Sequence, residues 1–379
     1  SGVAVLLVCA GAAFGAEKGV VAPADAKIVG PYSPGILAGD YLYVSGQGDP
    51  TPDPRNAPPF EVKVRRTLEN VKAIVEAAGL TMEHVVYTQV YLEDMGGYET
   101  MDRVWKEFFG KSPPAWAVLG VARMPVGTPV EVTAVALRDL AKKEPAGEGG
   151  VLTHDRLYIP GILAADTETA LERLGSLLKA AGLDFRHVVF LNVYLDEKIP
   201  IAEMNKPYAQ RFEFGNTPAR ATIKVASLPP GGHIEITGVA VRDLNQRRAV
   251  HPKNMPPSAT ASPCVLAGET LFCSAKSAFI PGPQSGIYAD NVEHQVRQSL
   301  RNLLDGLEEA GMDLPQVVAT NVYLDDIEEF AGMNRVYGSY FAGAPPTRTT
   351  VQPLKPVERN KDERDRWPML EQISLIAVK

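Results

Sequence analysis

Two residue types at one fixed spacing offer the clearest chemistry in this chain. Arg220 follows Pro218-Ala219, and Glu235 stands fifteen residues later in the strand-like run Ile234-Glu235-Ile236. An arginine guanidinium presents a planar fork that grips a carboxylate through two hydrogen bonds. A glutamate on the adjacent strand, where Glu235 is expected, can position water or relay a proton, unless the two simply form a structural ion pair. Together they would hold an acid and do general acid–base work on it. The spacing recurs upstream with altered residues, Trp116 at the arginine position and Glu131 at the glutamate position. Downstream, Arg348 keeps the arginine, and counting back from Ala377, matched to Ala136 and Ala240, puts Gln372 at the glutamate position. Only the middle copy carries both groups. Arg220 and Glu235 are therefore the expected working pair, Trp116 and Glu131 a degenerate one, and Arg348 with Gln372 a set that binds an acid but lacks the proton-transfer group.

These positions sit in a threefold internal repeat. Ala77-Ala78-Gly79-Leu80, Ala180-Ala181-Gly182-Leu183 and Glu309-Ala310-Gly311-Met312 each precede a Val-Val pair and then a Val-Tyr-Leu-acidic strand. Residues 27–140, 150–244 and 255–379 form the three units, with a leader at 1–26 and polar linkers at 141–149 and 245–254. In the first unit a hairpin is expected across Gly39-Asp40. Residues 61–78 read as a helix with Val64, Leu68, Val71, Ile74 and Val75 on one face. A strand over 85–92, a helix over 98–109 and two closing strands complete the order β-β-α-β-α-β-β. The middle unit has one opening strand and a brief loop to its helix; the third carries a charged insertion at 355–367, expected near the mouth of its arginine site.

Units of this kind place both helices on one sheet face and leave the other apolar. Three such faces turned to a common axis would cover one another. The expected fold is α+β, an intrachain pseudotrimer with a central β-barrel and outer helices, needing no homo-oligomer. The Tyr91, Tyr194 and Tyr323 of the repeated strand read as packing residues.

Composition narrows the function. At 379 residues, with 45% hydrophobic and 22% charged residues, the chain suits several soluble globular units. A net charge of −7 without a basic run argues against nucleic acid as a partner. The apolar stretch 3–15 is too short to span a bilayer and reads as the hydrophobic region of a secretory signal, so an exported protein is expected. Cys9, Cys264 and Cys273 make neither a disulfide framework nor a zinc site. Cys264 and Cys273 flank Gly268-Glu269 symmetrically, either as a cross-strand disulfide or as two small apolar residues. His84 and His187, at matching loop positions, read as surface residues, and no metal spacing is present.

The combination of Ile28-Val29-Gly30-Pro31-Tyr32-Ser33-Pro34, Tyr43-Val44-Ser45-Gly46-Gln47, the Val-Tyr-Leu-acidic strand, Pro-Ala-Arg and the closing Glu-Ile-x-x-Val-Ala resembles the RidA/YjgF family, also called endoribonuclease L-PSP, in three tandem copies. The resemblance implies three clefts between neighbouring units. It also implies cofactor-free hydrolysis of enamines and imines, such as 2-aminoacrylate, to 2-keto acids and ammonia. By position, Arg220 resembles the carboxylate-binding arginine and Glu235 the acid–base glutamate. Tyr32, Ser45 and Gly46 resemble a cleft-lining tyrosine and a Ser-Gly turn, with Thr222, Arg348 and Gln372 completing the expected substrate-binding set. The fullest combination would place Arg220 and Glu235 against Tyr32 and Ser45. The partner would be a small 2-imino or 2-keto acid. The rival reading is a family member that captures a small carboxylate or a protein without catalysis.

Overall fold

The computed structural model describes residues 18–26, 28, 30–51 and 53–379, so the proposed secretory segment lies outside the described residues. Each repeat folds into one six-stranded sheet and two helices. Repeat 1 contributes β1 (Gly19–Val21), β2 (Gly35–Ala38), β3 (Tyr41–Gly48), α1 (Phe60–Ala77), β4 (Val85–Leu92), α2 (Tyr98–Phe109), β5 (Ala115–Gly120) and β6 (Val130–Leu137). Repeat 2 contributes β7 (Glu144–Ala146), β8 (Gly150–Leu152), β9 (Arg156–Ala164), α3 (Thr167–Ala180), β10 (Val188–Leu195), α4 (Ile201–Ala209), β11 (Ala219–Lys224) and β12 (Ile234–Val241). Repeat 3 contributes β13 (Arg247–Val250), β14 (Cys264–Ala267), β15 (Thr270–Lys276), α5 (Val292–Glu309), β16 (Val317–Leu324), α6 (Phe330–Tyr340), β17 (Thr347–Val351) and β18 (Glu371–Val378).

All three sheets share one strand order, β1-β2-β3-β6-β4-β5 in the first. Only the outer pairs β4/β5, β10/β11 and β16/β17 run parallel, because a helix crosses over between their members. The regions read as polar linkers are partly strand: β7 and β13 lie in them and form sheet edges. The middle repeat also has a second opening strand, β8, paired with β9.

Periodicity explains the packing. Alternate strand residues face the helices, and Val64, Leu68, Val71, Ile74 and Val75 of α1 close a core with Leu42, Val44 and Val90. The other sheet faces meet in a shared core holding Tyr43, Tyr91, Tyr158, Tyr194, Phe272 and Tyr323. Tyr194 and Tyr323 touch through their hydroxyls at 3.3 Å, which makes the recurrent tyrosines packing residues of the axis. The expected closed barrel does not form. Three separate sheets pack face to face, and the strand pairing between repeats among the described residues is confined to the isolated bridges Gly120–Ser227 and Arg123–Gln352.

The ring is laced at its edges instead. Lys18, ahead of β1, donates to Val317 O at 2.7 Å and Ala344 O at 2.9 Å in repeat 3. Lys143, ahead of β7, donates to Val85 O and Ser112 O of repeat 1, each at 2.7 Å. Arg247 at the start of β13 donates to Val188 O of repeat 2 at 3.0 Å. Cys264 and Cys273, directly opposite across the β14/β15 hairpin, form a disulfide. The insertion at 355–367 is pinned to its own repeat, with Arg359 bound to Asp325 at 2.6 Å and Glu329 at 3.0 Å. No helix among the described residues is long and apolar enough to cross a membrane.

Candidate functional site between repeats

Each seam takes its arginine-position residue from the outer parallel strand of one repeat and its glutamate-position residue from the next repeat. The reason is sheet order. β10 lies between β11 and β12, so Arg220 and Glu235 do not sit on adjacent strands and make no ion pair. Arg220 faces β15 of repeat 3, whereas Glu235 faces β5 of repeat 1. The expected combination of these two with Tyr32 and Ser45 is therefore not the one the fold brings together.

Tyr32, Ser45 and Gly46 instead meet Arg348. The Arg348 backbone N–H donates to Ser45 Oγ at 2.9 Å, and that hydroxyl donates to Ser33 O at 2.6 Å. The Ser-Gly pair is a β-bulge within β3, not a turn: Val44 pairs with Ala134 and Gln47 with Val132, leaving two residues opposite one. The bulge frees the serine to grip the neighbouring repeat. The Arg348 guanidinium lies under the rings of Tyr337, Phe330 and Tyr32, 4.9, 5.3 and 5.7 Å from their centroids. It is buried and has no carboxylate in ion-pair range among the described residues.

Glu131 completes this seam. It lies against Gly46 so closely that any Cβ there would overlap its carboxylate. Burial pushes its pKa up to about 8, with the Arg348 charge pulling the other way. A carboxyl that is neutral at pH 7, beside an arginine free to bind an anion, can donate a proton and then accept one. Glu131, which the sequence assigns to a degenerate set, thus stands with the fullest group of cleft residues.

The seam between repeats 2 and 3 repeats the scaffold but not the acid. Arg220 N–H donates to Ser274 Oγ at 2.8 Å, Ser274 Oγ donates to Ser262 O at 2.6 Å, and the guanidinium stacks 4.6 Å from the Tyr208 centroid. Gln372 stands where Glu131 stands, and Ala275 where Gly46 stands. Lys276, two residues past Ser274 in β15, has its pKa pushed down to about 8 by burial.

At the seam between repeats 1 and 2 the arginine position is closed. Trp116 stacks on Trp105 at 4.6 Å and Tyr98 at 6.3 Å. Glu235, raised to about 8 by burial, accepts a hydrogen bond from Val118 N at 3.1 Å. Pro160-Gly161 forms the bulge there, with the glycine again against the carboxylate.

Buried polar atoms without a hydrogen-bond partner recur at the first two seams. Thr222 Oγ1 and Thr350 Oγ1, each two residues past its arginine and on the same strand face, are buried without a hydrogen-bond partner. So are Asn205 Oδ1 and Asn334 Oδ1 on α4 and α6. Buried polar groups are almost always satisfied, so the same pair of orphans beside each arginine sets these two seams apart from the third among the described residues. Thr222 was legible in the sequence; Asn205, Asn334 and Thr350 were not singled out. Their signal was the recurrence of Met204-Asn205 and Met333-Asn334 against Met101-Asp102, the repeat whose arginine is lost.

The profile of the Endoribonuclease L-PSP family matches residues 23–138, 145–242 and 252–355, most of the chain. A RutC family protein of Pyrococcus horikoshii is 38% identical over 115 residues, 30% of this chain and 91% of that protein. The 2-iminobutanoate/2-iminopropanoate deaminase of Escherichia coli K12 is 35% identical over 114 residues, 29% of this chain and 89% of that enzyme. The structure of E. coli TdcF with bound serine is 32% identical and covers 32% of this chain and 98% of its own, with a TM-score of 0.29. A chorismatase structure, 13% identical, covers 78% of this chain and 93% of its own at a TM-score of 0.53, a likeness of fold.

Proposed function

The chain belongs to the Endoribonuclease L-PSP (RidA/YjgF) family, and from that premise we propose that it hydrolyses 2-imino acids to 2-oxo acids and ammonia in the cleft between repeats 3 and 1. The observation that carries this reading is a buried arginine, with no carboxylate in ion-pair range among the described residues, in the same cleft as a glutamate kept neutral near pH 7. Arg348 would take the substrate carboxylate through its planar fork. Tyr32 and the orphaned Asn334 and Thr350 would complete the grip.

Glu131 would give its proton to the imine nitrogen, making C2 electrophilic. As water adds to C2, the glutamate takes the proton that water releases, leaving a carbinolamine. Glu131 then gives that proton to the amine and, as the C–N bond breaks, takes the hydroxyl proton, so that ammonia leaves, the 2-oxo acid forms and the glutamate returns to its protonated state. The 35% identical deaminase supports this chemistry at the level of one repeat.

A second role falls to the Arg220 cleft. With Gln372 in place of the glutamate it would hold a carboxylate without turning it over. RNA cleavage, the activity in the family's name, is poorly served by a chain of net charge −7.

The test generates 2-iminopropanoate in place with a serine dehydratase and measures competition with semicarbazide. Arg348→Ala is expected to lower kcat/KM on the order of 100-fold, the loss of charged hydrogen bonds to substrate. Arg220→Ala should leave it within about twofold. Loss of activity in Arg220→Ala alone would overturn the assignment.

A further inference from the structure

The pseudo-threefold axis ends in a pocket that the seam chemistry does not use. The turns Gly39-Asp40, His154-Asp155 and Gly268-Glu269, one from each repeat, surround a cavity of about 600 Å³, a size that suits a small metabolite. The three equivalent residues that follow these turns, Tyr41, Arg156 and Thr270, converge on its floor. The Arg156 guanidinium lies 4.3 Å over the Tyr41 ring centroid and its Nη2 donates to Thr270 Oγ1 at 3.1 Å.

A ring of three identical subunits could not build this floor. An arginine at that position would meet two copies of itself on the axis, and three buried like charges repel strongly. Divergence of the fused repeats lets one cation stand there alone. Arg156 is only 5% exposed. Asp155 Oδ2 holds its Nε at 2.9 Å and its Nη2 at 2.6 Å. Nη1 has no hydrogen-bond partner among the described residues. Beside it lies the buried Tyr43 hydroxyl, within interaction range of the Arg156 guanidinium and with no other hydrogen-bond partner among the described residues. The floor therefore sets a guanidinium N–H and a hydroxyl side by side, a pair of donors that a carboxylate can bridge.

The rim has the opposite character. Asp243 and Glu269 are exposed there, Asp40 is bound to His154 at 3.0 Å, and Arg242 is tied by Nη1 to Thr153 O at 2.9 Å. Carboxylates outnumber cations at the mouth, so a simple anion meets repulsion on entering. A simple cation finds a guanidinium at the bottom. Val239, Val241 and Val378 supply an apolar wall.

We propose that this axial pocket binds a zwitterionic amino acid with a small apolar side chain. Its carboxylate would rest on Arg156 Nη1 and Tyr43 OH, and its ammonium would face Glu269 and Asp243. The site does not rest on the imine reading, and its floor residues Tyr43 and Arg156 also line the interior cavity that reaches Ser45 and Arg348.

Calorimetric titration tests it with L-valine and two relatives lacking one charge each, 3-methylbutanoate and isobutylamine. The protein is the full chain carrying Arg220→Ala and Arg348→Ala, which silences both arginine clefts. L-Valine is expected to bind this double variant as tightly as wild type, with either single-charge relative at least about tenfold weaker. Tyr43→Phe and Glu269→Gln, added singly, should each weaken L-valine about fivefold or more while circular dichroism and melting stay unchanged. Failure of L-valine to bind the double variant, equal binding of 3-methylbutanoate, or indifference to both added substitutions would overturn the proposal.

Discussion

The seams on either side of repeat 3 are built alike and differ in what they can do. Both hold an arginine whose backbone N–H reaches a bulge serine, at 2.9 Å for Arg348 and 2.8 Å for Arg220. Both keep an orphaned asparagine and threonine beside it. They part at four positions on the facing repeat: Tyr32 against Ala261, Glu131 against Gln372, Gly46 against Ala275, Gln47 against Lys276. The acid-gripping half of a cleft and its proton-handling half thus come from different repeats and can be lost separately. The seam between repeats 1 and 2 is the converse case, keeping Glu235 while Trp116 has replaced the arginine. Tandem fusion permits this, because a change in one repeat touches one half of two clefts and leaves the third untouched.

The largest expected gain comes from rebuilding the missing half. In an Arg348→Ala background, Gln372→Glu with Ala275→Gly should raise imine hydrolysis about tenfold or more above the parent. Gln372→Glu alone should gain almost nothing, because the Ala275 Cβ occupies the space that Gly46 leaves for Glu131. Equal gains from the single and double changes would break the comparison.

A smaller effect separates architecture from chemistry. Ser45→Ala and Ser274→Ala each strand one buried arginine N–H, so both should destabilise the fold by about 1–3 kcal/mol in urea unfolding. Only Ser45→Ala should also lower kcat/KM, by roughly tenfold, since only that serine sets an arginine opposite a glutamate. The subtlest signature is in the pH profile. Glu131 acts from its protonated form, so activity should hold through neutrality and decline as pH rises past about 8. An alkaline limb unchanged in Glu131→Gln would remove that residue from the proton transfer.

Much of this molecule was legible in its sequence. The threefold repeat, the α1 face from Val64 to Val75 and the sequence of elements from the first hairpin onward follow from periodicity and turn residues. So do the arginine and glutamate positions, which a constant spacing reveals. What escaped is long-range. Arg220 and Glu235 lie close in sequence, but β10 separates their strands, and no local pattern says which repeat meets which. The Ser45-Gly46 bulge reads as a turn because serine and glycine serve either role, and only pairing across β6 decides. β7 was hidden because Glu144-Pro145-Ala146 has little strand character; its place at a sheet edge comes from neighbours. The cross-repeat lacing by Lys18 and Lys143 gives no local trace at all.

The most direct test compares two glutamates alike in burial and in the glycine beside them. Glu131 and Glu235 are both buried, both raised to about 8, and both lie against a bulge glycine. They differ in the residue facing them, Arg348 for one and the Trp116 strand for the other. Measured side by side on 2-iminopropanoate, Glu131→Gln should lose on the order of 100-fold or more in kcat, while Glu235→Gln stays within about threefold of wild type. A collapse of activity in Glu235→Gln with Glu131→Gln unaffected would contradict a working cleft between repeats 3 and 1.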